Sequence, residues 1–170
     1  MMDLERGIIT VYRISLEKFK KSDFDFYFSL VSNESVMAMI TERSIPMKEA
    51  QVNFQKLLDT NNDFKGFGTY KVFNSKNNEF IGLGKLIKSK DNEEAELGYM
   101  VLPEYWGKGY GSEIAEILLE NANKLSLNRV TAIIDPNNLP SRKILLKKGF
   151  ISEKICEIDG LPGEYMSKIL

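Results

Sequence analysis

A mixed α/β (α+β) fold, a sheet with helices packed against it, follows from three features of this 170-residue chain. Short runs of alternating apolar and polar residues recur and read as strands. Other runs place apolar residues three and four apart and read as helices. In the second half the two kinds alternate as strand, helix, strand, helix, the order of a β-α-β unit. The length suits one domain with its own hydrophobic core, and residues 1–170 are read as a single domain.

Each element has its own signal. Ile8–Ser15, "IITVYRIS", is β-branched and alternating, as a half-buried or edge strand requires. "SDFDFYFSLVSN" sets Ser22 and Asp25 at capping-box spacing and places Phe24, Tyr27, Phe28 and Val31 on one helical face. Pro46 opens "PMKEAQVNFQKLLDTNN", a second helix ending near Asn61, with Val52, Leu57 and Leu58 as its expected inward stripe. "FGTYKVFN" and "EFIGLGKLIKS" read as a hairpin across "SKNN", and the turn "KDNEE" adds "AELGYMVL" as a third strand. "SEIAEILLENANKL" carries Ile114, Ile117, Leu118 and Leu125 at helical period, "RVTAIID" is a strand, and "PSRKILLKKG" is a short helix closed by Gly149. Two final strands, "FISEKICEID" and "EYMSKIL", are joined by "GLPG", which brings the sheet to about seven strands.

Composition narrows the function. Acidic and basic residues number 24 and 23, so no excess charge draws the chain to nucleic acid or an anionic membrane. The expected partner is a small molecule or a peptide. No apolar stretch approaches bilayer length, and the N-terminus lacks the basic start and apolar run of a signal peptide, so a cytoplasmic location is expected. Cys156 is the only cysteine, which excludes an internal disulfide, and a lone strand cysteine is expected in the core. Histidine is absent, which removes the commonest zinc ligand and the commonest neutral-pH base. No metal is expected, and acid-base chemistry falls to Glu, Asp, Tyr, Ser, Lys, Cys or water.

Between the strand "AELGYMVL" and the helix "SEIAEILLENANKL" lies "PEYWGKGYG", with glycines at 107, 109 and 111. A helix N-terminus offers free N–H groups and positive potential, and glycines leave no Cβ between those amides and an anion. Lys108 adds a mobile charge. The spacing meets neither the Walker pattern nor the dinucleotide fingerprint, and a plain glycine loop remains the alternative.

With its context, "ELGYMVLPEYWGKGYGSEIAEILLENA" followed by "NRVTAIIDPNNLPSRKILLKKGF", the chain resembles the GNAT superfamily of N-acetyltransferases. It looks most like the ribosomal-protein-alanine acetyltransferase (RimJ/RimL-like) branch. The resemblance follows element order from about residue 8 to 170, with specific motifs between Glu96 and Phe150. It implies a GNAT-type, mostly antiparallel sheet with helices on both faces. It implies binding of acetyl-CoA, with the pyrophosphate on amides of Gly107, Lys108, Gly109, Tyr110, Gly111 and Ser112, and the pantetheine arm along Met100 and Val101. The family's Arg or Gln at the head of this loop is Trp106 here, which leaves the binding mostly to amides. Asn138 and Ser141 match an Asn-x-x-Ser expected near the arm or thiol; Asn138 is equally a good helix N-cap. Arg142 and Lys143 are expected either near the adenosine phosphate or simply solvated.

The implied reaction moves an acetyl group to a primary amine, a protein N-terminal α-amino group or a small amine, by direct attack in a ternary complex. It needs a neutral amine, a stabilised oxyanion and a proton for the leaving thiolate. Glu96, on the strand leading to the loop, is the leading base; the alternative is a solvated member of the acidic turn "DNEEAE". The N–H of Met100 is the expected oxyanion donor where the strand splays. The family's usual tyrosine acid is Leu145 here, so Ser141 is the expected acid, with Tyr99 and Tyr110 behind it or simply packing. "VMAMITERSIPM", with Glu34 and Glu42, either packs as core or seats a cationic amine. The competing reading is a non-catalytic acyl-CoA-binding or sensing domain. A monomer and a homodimer fit equally.

Overall fold

A computed structural model describes residues 2–3, 8–9, 12–63, 65–90 and 93–170. Two-residue strands β1 (Met2–Asp3) and β2 (Ile8–Ile9) pair antiparallel. The strand expected over Ile8–Ser15 is realised in its second part as β3 (Ile14–Lys18), while Thr10 and Val11 lie outside the described residues, as do Asp91 and Asn92 of the expected "KDNEE" turn. Then come α1 (Phe24–Val31), α2 (Glu34–Met37), α3 (Met47–Asp63), β4 (Gly68–Asn74), β5 (Phe80–Lys88) and β6 (Glu94–Val101). The chain closes with α4 (Tyr110–Lys124), β7 (Arg129–Ile134), α5 (Leu139–Lys147), β8 (Ile151–Ile158) and β9 (Leu161–Ile169).

Seven strands form one sheet in the order β3-β4-β5-β6-β7-β9-β8. Only β6 and β7 run parallel; the other pairs are antiparallel. Alternation along β6 sends Ala95, Leu97, Tyr99 and Val101 into a cluster with Ile114, Leu118 and Leu145 of α4 and α5. Met100, out of phase with them, joins a second cluster with Tyr27, Leu30, Val31, Met37, Ala50 and Phe54 of α1–α3. Helices therefore cover both faces. Among the described residues, no helix is long and apolar enough to cross a membrane.

Several local expectations are corrected. Ser22 and Asp25 do not form the capping box. Asp23 is the N-cap of α1 without a side-chain bond into the helix, and its carboxylate instead accepts the Lys20 N–H (2.7 Å) and pairs with the buried Lys71 ammonium (2.8 Å). The competing long-range charge won over the local motif. In α3 the inward stripe is Ala50, Phe54, Leu57, Leu58 and Asn61, with Val52 57% exposed. Val52 stands about 200° around the helix from Ala50, on the opposite side. The last turn is Asp159-Gly160, both at positive φ (51° and 80°), so Leu161, Pro162 and Gly163 already belong to β9. Asp-Gly suits a two-residue hairpin turn that needs left-handed backbone at both positions. Cys156 is exposed rather than core, because β8 is the sheet's edge and its residues 151–157 are all exposed.

Candidate active site

The sheet opens beside β6. Its parallel register with β7 covers Glu94↔Arg129, Ala95↔Val130 and Glu96↔Thr131. Beyond these pairs β6 continues on β5 as far as Val101↔Gly82, and β7 continues on β9 as far as Ile134↔Glu164. The two strands therefore part after Glu96 and Thr131, leaving main-chain groups of β6 facing a gap, since a ladder that stops leaves its N–H and C=O groups unpaired on that edge. Near the far end of β6 a Cβ on Gly82 would fall 2.0 Å from the Met100 carbonyl oxygen. Only a glycine admits this crossing of β5 by the Met100–Val101 backbone.

After β6 the chain makes a 3-10 turn at Pro103–Tyr105 and reaches Trp106, whose indole is half exposed and donates from Nε1 to the Val101 carbonyl (2.7 Å). Gly107 (φ 73°) and Gly109 (φ 85°) then take left-handed conformations that other residues adopt only under strain. Gly109 is the N-cap of α4 and provides no side-chain cap. The first helical bond after this cap runs from Glu113 N–H to Gly109 C=O (3.1 Å), so the amides of Tyr110, Gly111 and Ser112 precede the ladder. Among the described residues, nothing beyond its chain neighbours lies within 4 Å of a Cβ built on Gly107. Open space, bare amides and a helix N-terminus fit an anion, and the chemistry of this donor set fits a phosphate ester.

The third glycine has a different cause. Gly111 lies in the first turn of α4, and a Cβ there would touch Tyr99 Cε2 and Ile144 Cδ1, each at 3.3 Å. Its absence lets α4 approach β6 and α5.

One brace of this loop was invisible in the sequence. Arg13, just before β3, donates from both its backbone N–H and its Nε (2.9 Å) to the Glu113 carboxylate, and from Nη2 to the Lys108 carbonyl (3.0 Å). Its guanidinium also sits 4.4 Å from the centroid of the Tyr110 ring. Nothing local signals a contact between residues a hundred positions apart. Lys108 directs its ammonium over the Tyr105 ring, 5.8 Å from the centroid. Tyr110 is buried in the core edge-on to Tyr105, so its side chain packs.

At the start of α5, Asn138 is the N-cap, and its side-chain oxygen accepts the Ser141 N–H (3.3 Å). Ser141 is half-buried and Leu145 is core. Arg142 is half-buried, and its Nε donates to both carboxylate oxygens of Glu164 (3.2 and 3.1 Å), a side chain with no exposure. Tyr99 projects from β6 toward Gly111 and Ser141, and burial pushes its phenol above the ordinary range, an effect that the nearby Ser141 hydroxyl partly offsets.

Glu96 lies on the other face of β6, half-buried, with its carboxylate 3.1 Å from the Lys85 ammonium. Lys85 crosses over Gly98, its partner in the ladder, to make this contact. Glu96 is thus a member of β6 rather than of the solvated turn. The methionine stretch divides: Val36 and Met37 are core, whereas Met39, Ile40 and Met47 are exposed on the α1–α3 side with Glu34 and Glu42.

Comparison with known proteins supplies the family. The family model described as "Acetyltransferase (GNAT) domain" matches residues 13–151. The uncharacterized N-acetyltransferase YnaD of Bacillus subtilis is 27% identical over 146 residues, 85% of this chain and 83% of its own. An acetyltransferase of the GNAT family from Bacillus anthracis superposes with a TM-score of 0.79 at 24% identity, covering 95% of this chain and 97% of that one. Spermidine N-acetyltransferase from Vibrio cholerae, solved in complex with CoA and spermine, superposes with a TM-score of 0.77 at 20% identity, covering 92% and 95%. The parted strands and the glycine-started helix are thus seen in their family setting: the chain belongs to the GNAT acetyltransferases.

Proposed function

We propose that the protein transfers the acetyl group of acetyl-CoA to a primary amine, either a protein N-terminal α-amino group or a small amine, by direct attack in a ternary complex, and that it belongs to the RimJ/RimL-like branch. The observation that carries the acetyl-CoA assignment is the start of α4, where left-handed Gly107 and Gly109 present uncapped amides beside the gap between β6 and β7. When bound, acetyl-CoA supplies an activated acyl thioester.

The chain's own residues have distinct tasks. Amides of Gly107, Lys108, Gly109, Tyr110, Gly111 and Ser112 hold the pyrophosphate, with Trp106 closing the loop onto Val101. Main-chain groups of Met100 and Val101, near the end of β6, hold the pantetheine arm, and the Met100 N–H stabilises charge on the acetyl oxygen. Asn138 fixes the first turn of α5 and so places Ser141, which protonates the departing sulfur.

Glu96 takes the amine proton, directly or through water. Its carboxylate lies beside the Lys85 ammonium, and an α-amino group with a pKa near 8 asks less of a base than a lysine near 10.4. The exposed apolar and acidic residues of the α1–α3 side suit a cationic amine with an apolar flank, and the polyamine named for the Vibrio cholerae relative is one such acceptor. The unit acts as a single domain, in the cytoplasm, as a monomer or homodimer and without a metal.

Release of free thiol from acetyl-CoA in the presence of spermidine, aminoglycosides or alanine-leading peptides tests the reading. Glu96→Gln is expected to lower turnover at neutral pH about a hundredfold. Wild-type turnover by Glu96→Gln across the alkaline range removes Glu96 as the base, and no release with any amine defeats the transfer reading.

A further inference from the structure

Tyr99 has a hydroxyl that packing does not explain. Its Oη is shut off from solvent and meets hydrogen-bond geometry with none of the described groups. Buried polar groups are nearly always bonded, and an orphan calls for a reason. The ring already has one, since its edge meets the first turn of α4 at Gly111 and it packs against the α4 and α5 cluster. A phenylalanine would make the same contacts.

What the hydroxyl adds is its neighbour. It lies beside the Ser141 side chain, close enough for each to bear on the other. Ser141 is itself held by the Asn138 cap at the start of α5. Two hydroxyls from two elements thus converge, and the one on β6 stands three residues past the last pair that β6 makes with β7.

We infer that Tyr99 is a positioning residue for acetyl transfer, donating its O–H to Ser141 Oγ once the thioester is in place so that the Ser141 proton turns to the departing sulfur. This rests on the acetyl-transfer reading above. The amine nitrogen bonds to the acetyl carbon, the C–S bond breaks with its electron pair on sulfur, and sulfur takes the Ser141 proton. Ser141 Oγ recovers a proton from water, to which the amine proton also returns by way of Glu96. Tyr99 keeps its proton throughout, as a phenol whose burial disfavours the anion does.

A double-mutant cycle on the whole enzyme tests this, with whichever of spermidine or an alanine-leading peptide the parent accepts. Tyr99→Phe is expected to lower kcat about fivefold to tenfold, with the KM for acetyl-CoA moving by less than about twofold. In the Ser141→Ala background the same change is expected to cost nothing further, because Tyr99 acts through Ser141. An equal loss in both backgrounds, or none in either, overturns the inference.

Calorimetry with CoA and desulfo-CoA gives a second readout. The parent should prefer CoA, and Tyr99→Phe should narrow that preference while its thermal midpoint holds or rises; an unchanged preference overturns the inference. If the parent binds CoA yet acetylates neither amine, the transfer reading fails first, and the desulfo comparison still decides Tyr99.

Discussion

On the side of β6 that faces α4 and α5, Tyr99 meets the first turn of α4 across Gly111, two left-handed glycines start the helix, and Asn138 caps α5. On the other side, Glu96 reaches Lys85 across Gly98, Met100 packs on α1–α3, and Met39, Ile40 and Met47 stay exposed. Each side also holds an ion pair with a buried member, Glu164 paired with the half-buried Arg142 on the first and Lys71 paired with Asp23 on the second. The first side is shaped by backbone, with amides, caps and glycines in required conformations. The second presents side chains around a half-exposed pair. Backbone geometry suits a ligand that never varies, whereas side chains can be exchanged without unmaking the sheet, which is the reason for proposing that acceptor choice belongs to the α1–α3 side.

The largest effect that breaks this contrast is loss of a buried ion. Arg142→Ala strands the fully buried Glu164 carboxylate and is expected to cost about 3–5 kcal/mol of stability, read from chemical denaturation. Asp23→Ala on the opposite side, which strands Lys71, is expected to cost a similar amount. A difference only on one side would show that the sheet's two layers do not depend on their ion pairs alike.

Next comes backbone strain. Gly109→Val forces a β-branched residue to φ near 85°, a cost of order 1–3 kcal/mol. Acetyl-CoA affinity is expected to fall at least about tenfold, because the amides move with the loop, whereas Met39→Ala on the other side should leave that affinity unchanged. Calorimetric titration of both variants checks it.

The smallest effect is alkaline. Burial raises the phenols of Tyr27, on the α1–α3 side, and Tyr99, on the α4 side, above their ordinary value. Each holds its proton more tightly folded than unfolded, so the stability they lend is complete below about pH 10 and declines as the pH rises past it. Tyrosinate absorbance should therefore lag behind that of free tyrosine, with a final rise that coincides with unfolding.

Much of the first side was legible in the sequence. Alternation in "AELGYMVL", the helical period of Ile114 and Leu118, and three spaced glycines are local signals, and β6, the loop and α4 lie where those signals placed them. Asn138 proved to be the cap that its type suggested. What stayed hidden is long-range. No local pattern pairs Arg13 with Glu113, Arg142 with Glu164 or Asp23 with Lys71. The face taken by Glu96 is a matter of register, which spacing within one strand does not specify. Cys156 was read as core from its residue type, but edge position, a property of the whole sheet, left it exposed.

The most direct measurement is a calorimetric titration of the folded protein with acetyl-CoA, with ADP as control. If the glycine-started helix holds a pyrophosphate whose arm lies along β6, acetyl-CoA binds with micromolar affinity and ADP, which lacks the arm, binds far more weakly. Equal affinity for the two would reduce the loop to a general phosphate site, and no binding of either would contradict the account.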